Sequence, residues 1–366
     1  MRTMISDLFP RRAYLAAWLL ATTFALAGCS AAPLPPVTAV PAVAVAAPAT
    51  AKPAFSASTS AALCAQDAEI EATKRAAIGQ AGIRFMDVLL GQDPSAAFDL
   101  FSKVGQTEIT RPRLVEMAAG FHTLLEPKGI AVDHTYLIRL NGPTPERVVC
   151  ARDLASADGW SSVKVTSTPE QAYVLATAEA KNEKLAITIW LVPEAREWKV
   201  QAFSIYDSTL GRRESAQLLE LARKQTSLSH DLNAWLLYFA AAATVDRGPF
   251  LQLGSQQARS DAYFQAKRPV EMSGTAPWDW KHERETFKIL RVGGLGIAGK
   301  MYVVLDHVVP PRTSREEMER VNRALIAHFK QRHPEYSEVF AGLLARAHEQ
   351  GTNNGFGTVD EGAKEI

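Results

Sequence analysis

The spacing of apolar side chains divides the chain into five stretches: an apolar leader, a proline-rich segment, a helical block, a block of period two and a mixed carboxy-terminal block. In the helical block, Ile70, Ala77, Ile78, Ala81, Phe85, Val88 and Leu89 share one helical face. Gly91 ends that helix. Asp93 then reads as an N-cap with Pro94 at the first helical position of a short segment carrying Ala97, Phe98 and Phe101. A third helix follows Thr110, with Leu114, Met117, Ala118, Phe121, Leu124 and Leu125 at 3–4 spacing, and Pro127 and Gly129 stop it.

From there the period changes to two. Strands are predicted at 133–140, 146–152, 161–167, 172–179, 184–192 and 197–207, separated by turn formers such as Asn141-Gly142-Pro143 and Lys181-Asn182-Glu183. Connections this short make neighbouring strands antiparallel. A helical hairpin is expected over 213–247, with Leu218, Leu219, Leu221 and Ala222 on one helix. Ser229 would cap a second helix bearing Leu232, Trp235, Leu236, Phe239, Ala240 and Ala243, before Gly248-Pro249. The last block reads as strands at 286–292 and 300–309 around a glycine-rich turn, helices at 314–332 and 335–349, and a loose polar tail. The expected organisation is therefore a leader (1–28), a tether (29–60), an α+β domain (61–210), a helical hairpin (211–260), a carboxy-terminal α+β module (261–350) and a flexible tail (351–366).

The leader carries Arg2, Arg11 and Arg12 ahead of an apolar run from Ala13 to Ala27, shorter than the roughly 20 residues a spanning helix needs. It ends in Leu26-Ala27-Gly28-Cys29, which resembles the lipobox of bacterial lipoprotein signal peptides. That resemblance implies cleavage before Cys29 and acylation of its thiol and new amino group, several chains giving stable attachment where one is marginal. Ser30, where the family's sorting pattern would place Asp for retention, implies the outer membrane. Proline, alanine and valine dominate the tether, which favours extended polyproline II at about 3.1 Å per residue.

Charge narrows the picture further. Formal net charge is +1, and loss of Arg2, Asp7, Arg11 and Arg12 with the leader makes it −1, which gives no electrostatic reason to bind nucleic acid. Of three cysteines, Cys29 is assigned to lipid, leaving Cys64 and Cys150 to bridge in an oxidising compartment or to stay as two buried thiols.

Helices followed by a meander over about residues 67–208 resemble the NTF2-like (SnoaL-like) cone, in which helices close one face of a curved sheet. Its best local match is Trp198-Lys199-Val200-Gln201-Ala202-Phe203. The cystatin-like fold is a close competitor, and no catalytic residues carry over. In such a cone His122 could face a pocket as a base, and Trp190 and Trp198 would face each other across a hairpin.

Gly294-Leu295-Gly296-Ile297-Ala298-Gly299 matches G-x-G-x-x-G, but a strand follows where phosphate binding needs a helix, so no nucleotide is expected and the motif reads as a hairpin turn. The eight histidines show no metal-ligand spacing, and neither a metal nor another cofactor is called for. Trp278-Asp279-Trp280 reads as packing under a loop or an interface anchor.

These features give one leading expectation: a non-catalytic lipoprotein, attached to the outer membrane through Cys29 and facing the periplasm, that binds a protein partner or a small apolar ligand. An immunity-type inhibitor of an envelope-targeted toxin and a hydrolase or isomerase using the cone pocket are the alternatives. Radioactive palmitate should label the wild-type chain and leave Cys29→Ala unlabelled; equal labelling would refute the anchor.

Overall fold

The computed structural model describes residues 62–361 apart from positions 284 and 353. The leader, the tether, Cys29 and the end of the tail lie outside the described residues. Within them the protein is α+β, as expected, with three main sheets rather than one meander and a small module.

The first sheet has the order β1 (Ala62–Gln66), β2 (Lys128–Leu140), β5 (Glu170–Glu179), β6 (Lys184–Glu194), β7 (Glu197–Asp207), all antiparallel. Its central strands are buried on both faces, which is why β5 and β6 read as nearly continuous apolar runs. Ala172, Val174, Ala176 and Ala178 of β5, with Leu185, Ile187, Ile189 and Leu191 of β6, meet Ile78, Phe85, Met86 and Leu89 of helix α1 (Ala72–Leu89). Each such large side chain contributes about 1.5–3 kcal/mol by leaving water. Helix α2 (Arg111–Leu124) adds Leu114 and Ala118 and starts as expected, with Thr110 accepting from Arg113 N. The segment after Asp93 is a 3-10 turn instead, and Asp93 makes no side-chain cap.

The opposite face meets a second sheet, of order β10 (Leu251–Leu253), β4 (Trp160–Lys164), β3 (Arg147–Ala151). Tyr136, Ile138, Tyr173, Leu175 and Trp190 from the first sheet pack on Val148, Val163, Phe250 and Leu251. Tyr173 stacks on Trp190 with ring centroids 5.5 Å apart, and the Tyr173 hydroxyl donates to Lys164 O. Buried Gln171 closes the polar account of this core, donating to Thr166 O and Thr168 O and accepting from Trp190 Nε1.

Cys64 on β1 and Cys150 on β3 form a disulfide, their Cα atoms 5.5 Å apart, joining the two sheets. A bridge across 86 residues constrains the unfolded chain by roughly 4–5 kcal/mol in the entropy model.

The third sheet has the order β11 (Trp278–His282), β12 (Glu285–Ile297), β13 (Lys300–Val309), β14 (Gly342–Glu349), β15 (Gly355–Glu361). Only β13 and β14 are parallel, and helix α6 (Arg315–Arg332) connects them. Two expectations are corrected here. The second helix expected over 335–349 is a short 3-10 turn followed by β14, and the expected loose tail pairs as β15. Leu343, Leu344, Ala345 and Ala347 give no local cue between helix and strand, and pairing with β13 decides it.

The helical hairpin exists as α3 (Ser215–Ser227) and α4 (Asp231–Ala243), but Ser229 does not cap α4, whose N-cap is His230. The hairpin is no separate domain. Leu218, Trp235, Leu236 and Ala240 share one core with Phe287, Val303, Leu325 and Phe329 of the third sheet and α6. Nor does the expected boundary at 210 hold for the first domain, because β10 completes its second sheet.

The glycine-rich motif is strand, not turn. Strand β12 runs through Ile297, and the turn is Ala298-Gly299, both at positive φ as a tight two-residue hairpin requires. Gly296 is needed for close approach, since a Cβ there would overlap Glu183 Oε1. Glu183, 2% exposed, accepts from Thr209 Oγ1 at 2.6 Å, Gly211 N at 2.6 Å and Arg212 N at 2.9 Å, around the short ladder of β8 (Thr209–Leu210) and β9 (Arg213–Glu214). One buried carboxylate thus ties the β5–β6 turn to the β8–β9 segment and packs closely against the third sheet at Gly296. Gly296→Ala should cost ~1–3 kcal/mol of stability in urea unfolding. Gly293→Ala, where a Cβ meets nothing within 4 Å, should be close to neutral; equal losses would refute the close-approach account.

Candidate functional site

Where the first two sheets diverge, beyond the disulfide, they leave a cleft of about 600 Å³. Strand β2 supplies Asp133, His134 and Tyr136. Residues Cys150 and Arg152 come from β3 and its end, and Trp160 and Ser161 come from β4. Arg247 and Ser255 arrive from beyond the expected domain boundary, on the loop after α4 and on helix α5 (Gly254–Gln265).

At the rim, Asp67 Oδ2 lies 3.0 Å from His134 Nδ1, and its Oδ1 accepts from Thr135 N at 2.9 Å. Asp67 sits at φ +51, a left-handed conformation uncommon for a residue with a Cβ, and its two bonds to β2 hold it there. The Arg152 guanidinium stands 4.0 Å from the same carboxylate and donates to Gln66 O. Deeper in, Tyr136 is 4% exposed, and burial pushes its phenol up. Ser161 is 2% exposed, and its hydroxyl faces the Tyr136 phenol, which it draws down against the effect of burial. Two neighbouring hydroxyls hold more donor and acceptor sites than they can use on each other, which leaves some for a ligand.

Arg247 is held by its own loop, Nη1 donating to Asp246 O at 2.9 Å and Thr244 O at 3.3 Å. Burial pushes the guanidinium down, opposed by the charges of Asp246 and Asp133. Burial likewise pushes the Asp246 carboxyl up, against its bonds from Gly248 N and Gln256. The cleft can therefore present guanidinium, phenol, hydroxyl and imidazole groups to one small molecule. Asp67 orients His134 as it would a general base, but no serine or cysteine is hydrogen-bonded to that imidazole among the described residues.

The residues singled out from sequence lie elsewhere. His122 is exposed on α2, so it does not act from within a pocket. Trp190 pairs with Ala202, and Trp198 with Pro193, so the two do not face each other. Trp190 belongs to the core between the sheets, whereas Trp198 packs on the helix side. On that helix side Phe85, Phe101 and Phe203 pack against one another, with ring centroids 5.0–6.1 Å apart. Of the site residues named from sequence, only the disulfide partner Cys150 lines the cleft. Asp67, His134, Arg152, Ser161 and Arg247 were missed, because they are spread over five separate elements with no shared spacing. The one local signal was the polar pair Asp133-His134 at the start of an apolar strand.

Two other polar clusters are structural. Buried Asp306 binds Arg346 through Nε at 2.6 Å and Nη2 at 2.9 Å, Arg291 Nε at 2.8 Å and His348 Nε2 at 3.2 Å, crosslinking β12, β13 and β14. Although burial alone would raise it, these partners hold its carboxyl far below the usual range. Asp207 is the opposite case: burial and then the nearby Glu183 carboxylate push it up to about 7. Among the described residues no group of three or more His, Cys, Asp and Glu could hold a metal, and no helix is long and apolar enough to cross a membrane.

Comparison with known protein families and with curated proteins finds no match for the chain.

Asp207 makes stability depend on pH. A carboxyl whose folded pKa is raised stabilises the fold below its unfolded value, 3.8, and that contribution is lost as pH rises through about 7. Asp207→Asn should therefore gain stability relative to wild type between pH 4 and pH 8 in denaturant titrations; a difference that does not change with pH would refute the assignment.

Proposed function

We propose that the protein is a lipid-anchored envelope protein that faces the periplasm and binds a small polar ligand in the cleft between its first two sheets. The observation that carries this reading is a cleft of about 600 Å³ in which Arg152 and Arg247 converge on the paired Tyr136 and Ser161 hydroxyls. Polar groups of this kind, converging in one concave site, are the ordinary mark of ligand recognition. The charged and hydroxyl groups of the lining favour a ligand that carries a polar group over the wholly apolar one expected from sequence.

The Cys64–Cys150 disulfide supports an exported location, since such bonds persist in oxidising compartments. The lipobox-like Leu26-Ala27-Gly28-Cys29 supports the anchor. Helices packed on one face of the β1–β2–β5–β6–β7 sheet support an NTF2-like relationship for the first domain, with the ligand face moved to the other side of the sheet. The Asp67–His134 pair supports a second reading, a hydrolase or isomerase working in the same cleft, and binding without turnover is favoured because among the described residues no serine or cysteine is hydrogen-bonded to that imidazole. The protein-partner reading draws on the anchor, the tether and the lack of a catalytic motif in the sequence, and the toxin-inhibitor reading on the shared location.

A thermal-shift screen of the full-length protein in detergent, using amino acids, short peptides, sugars and phosphates at millimolar concentration, tests the proposal. At least one should raise the melting temperature saturably, by an amount corresponding to about 2.7 kcal/mol at a hundredfold excess over Kd. Ala157→Trp, at an exposed lining position, should abolish the shift. No shift across the panel, or equal shifts in the variant, would overturn the cleft as the binding site.

A further inference from the structure

The polar groups of the cleft are unevenly committed. Its carboxylates are occupied: Asp67 accepts from His134 and Thr135 N, Asp133 Oδ1 from the Thr177 hydroxyl at 3.2 Å, and neighbouring Asp246 from Gly248 N and Gln256. Its donors are not. Arg247 uses only Nη1, for two backbone carbonyls, and among the described residues its Nε and Nη2 make no hydrogen bond. Arg152 uses only Nη2, at 3.4 Å from Gln66 O. Each guanidinium has a carboxylate neighbour, but neither makes a side-chain hydrogen bond to it: Arg247 meets only the backbone of Asp246, and Arg152 stands 4.0 Å from Asp67. Ser161 faces only the Tyr136 hydroxyl, so the two leave hydrogen-bonding capacity toward the cleft.

Depth sorts these groups by sign. Tyr136 and Ser161 are buried and Arg247 is half-buried, whereas Asp133 and Asp158 are exposed at the mouth. What the inner cleft lacks is an acceptor, and with two guanidinium groups available a charged acceptor is favoured over a neutral one. The exposed carboxylates at the mouth disfavour a multiply charged anion, because like charges at short range repel.

We propose, resting on the ligand-binding reading of this cleft, that the group it takes is a singly charged carboxylate, carried by a small organic acid or the carboxy terminus of a short peptide. Arg247 anchors the carboxylate, Arg152 supports it from the mouth, and the Ser161 and Tyr136 hydroxyls complete the hydrogen bonds. Charge-assisted bonds of this type are worth tenfold or more in affinity each.

Calorimetric titration of the full-length protein with N-acetylalanine, N-acetylalaninamide and inorganic phosphate tests the assignment. N-acetylalanine should bind saturably, and the amide and phosphate at least tenfold more weakly. Arg247→Gln should weaken the acid about tenfold or more. Because Arg247 also holds its loop, two further variants guard the test. Arg152→Gln alters an exposed side chain and should weaken binding severalfold with the melting temperature unchanged, and Ser161→Ala, which removes one of the two paired hydroxyls, should weaken it severalfold while the protein stays folded. Amide binding as tight as the acid would overturn the carboxylate and leave the cleft as a ligand site. Tighter binding of phosphate would overturn the choice of anion. Acid binding that persists in all three variants, or no binding of the acid, would overturn the proposal outright.

Discussion

Burial of the first sheet on both faces is the constraint from which the rest of the structure follows. Strands β5 and β6 carry buried apolar side chains on alternate positions of both sides, so neither face tolerates water. Helix α1 closes one side with Ile78, Phe85, Met86 and Leu89. The other side is closed by a second sheet assembled from β3 and β4, an excursion between β2 and β5, and from β10 far downstream. The disulfide fixes one edge of that second sheet against β1. Two twisted sheets joined this way cannot stay in contact along their whole length, and the candidate cleft occupies the place where they part.

The same demand removes the boundary between the two halves of the chain. Residues 211–260 contribute apolar surface in two directions: Phe250 and Leu251 to the core between the first two sheets, and Leu218, Trp235 and Leu236 to the core of the third. Glu183 adds a polar bond across the junction. A buried carboxylate is stable only when its lone pairs are used, and Thr209, Gly211 and Arg212 supply the three donors. Its approach to β12 leaves no room for a side chain at 296, which accounts for a glycine pattern that otherwise looks like a phosphate-binding loop. The half-buried Asp207 nearby is the cost of this arrangement, a second carboxyl that resists ionisation beside the first.

The cleft inherits its chemistry from these connections. Arg247 reaches it because β10 must return to β4, and Ser161 faces it because β4 runs past the end of the intersheet core. Asp67 reaches His134 because the turn after β1 brings it back over β2. None of these residues is near the others in the chain. A scan for spacing therefore finds His122 and the tryptophans, which stand on regular elements, and passes over the residues that meet.

The sequence by itself determined the local periods. Helix α1, helix α2 from Thr110, the six strands between 133 and 207, the α3–α4 hairpin and α6 were all legible, because hydrophobic spacing and turn residues act within a few positions. The eligibility of Cys64 and Cys150 as partners was legible by elimination as well. Only the tertiary structure decided which strands pair, that 342–349 is a strand rather than a helix, that the tail joins a sheet and that the hairpin belongs to the last core. These outcomes depend on a partner tens of residues away that buries the other half of each apolar surface, and no local pattern encodes that partner's position.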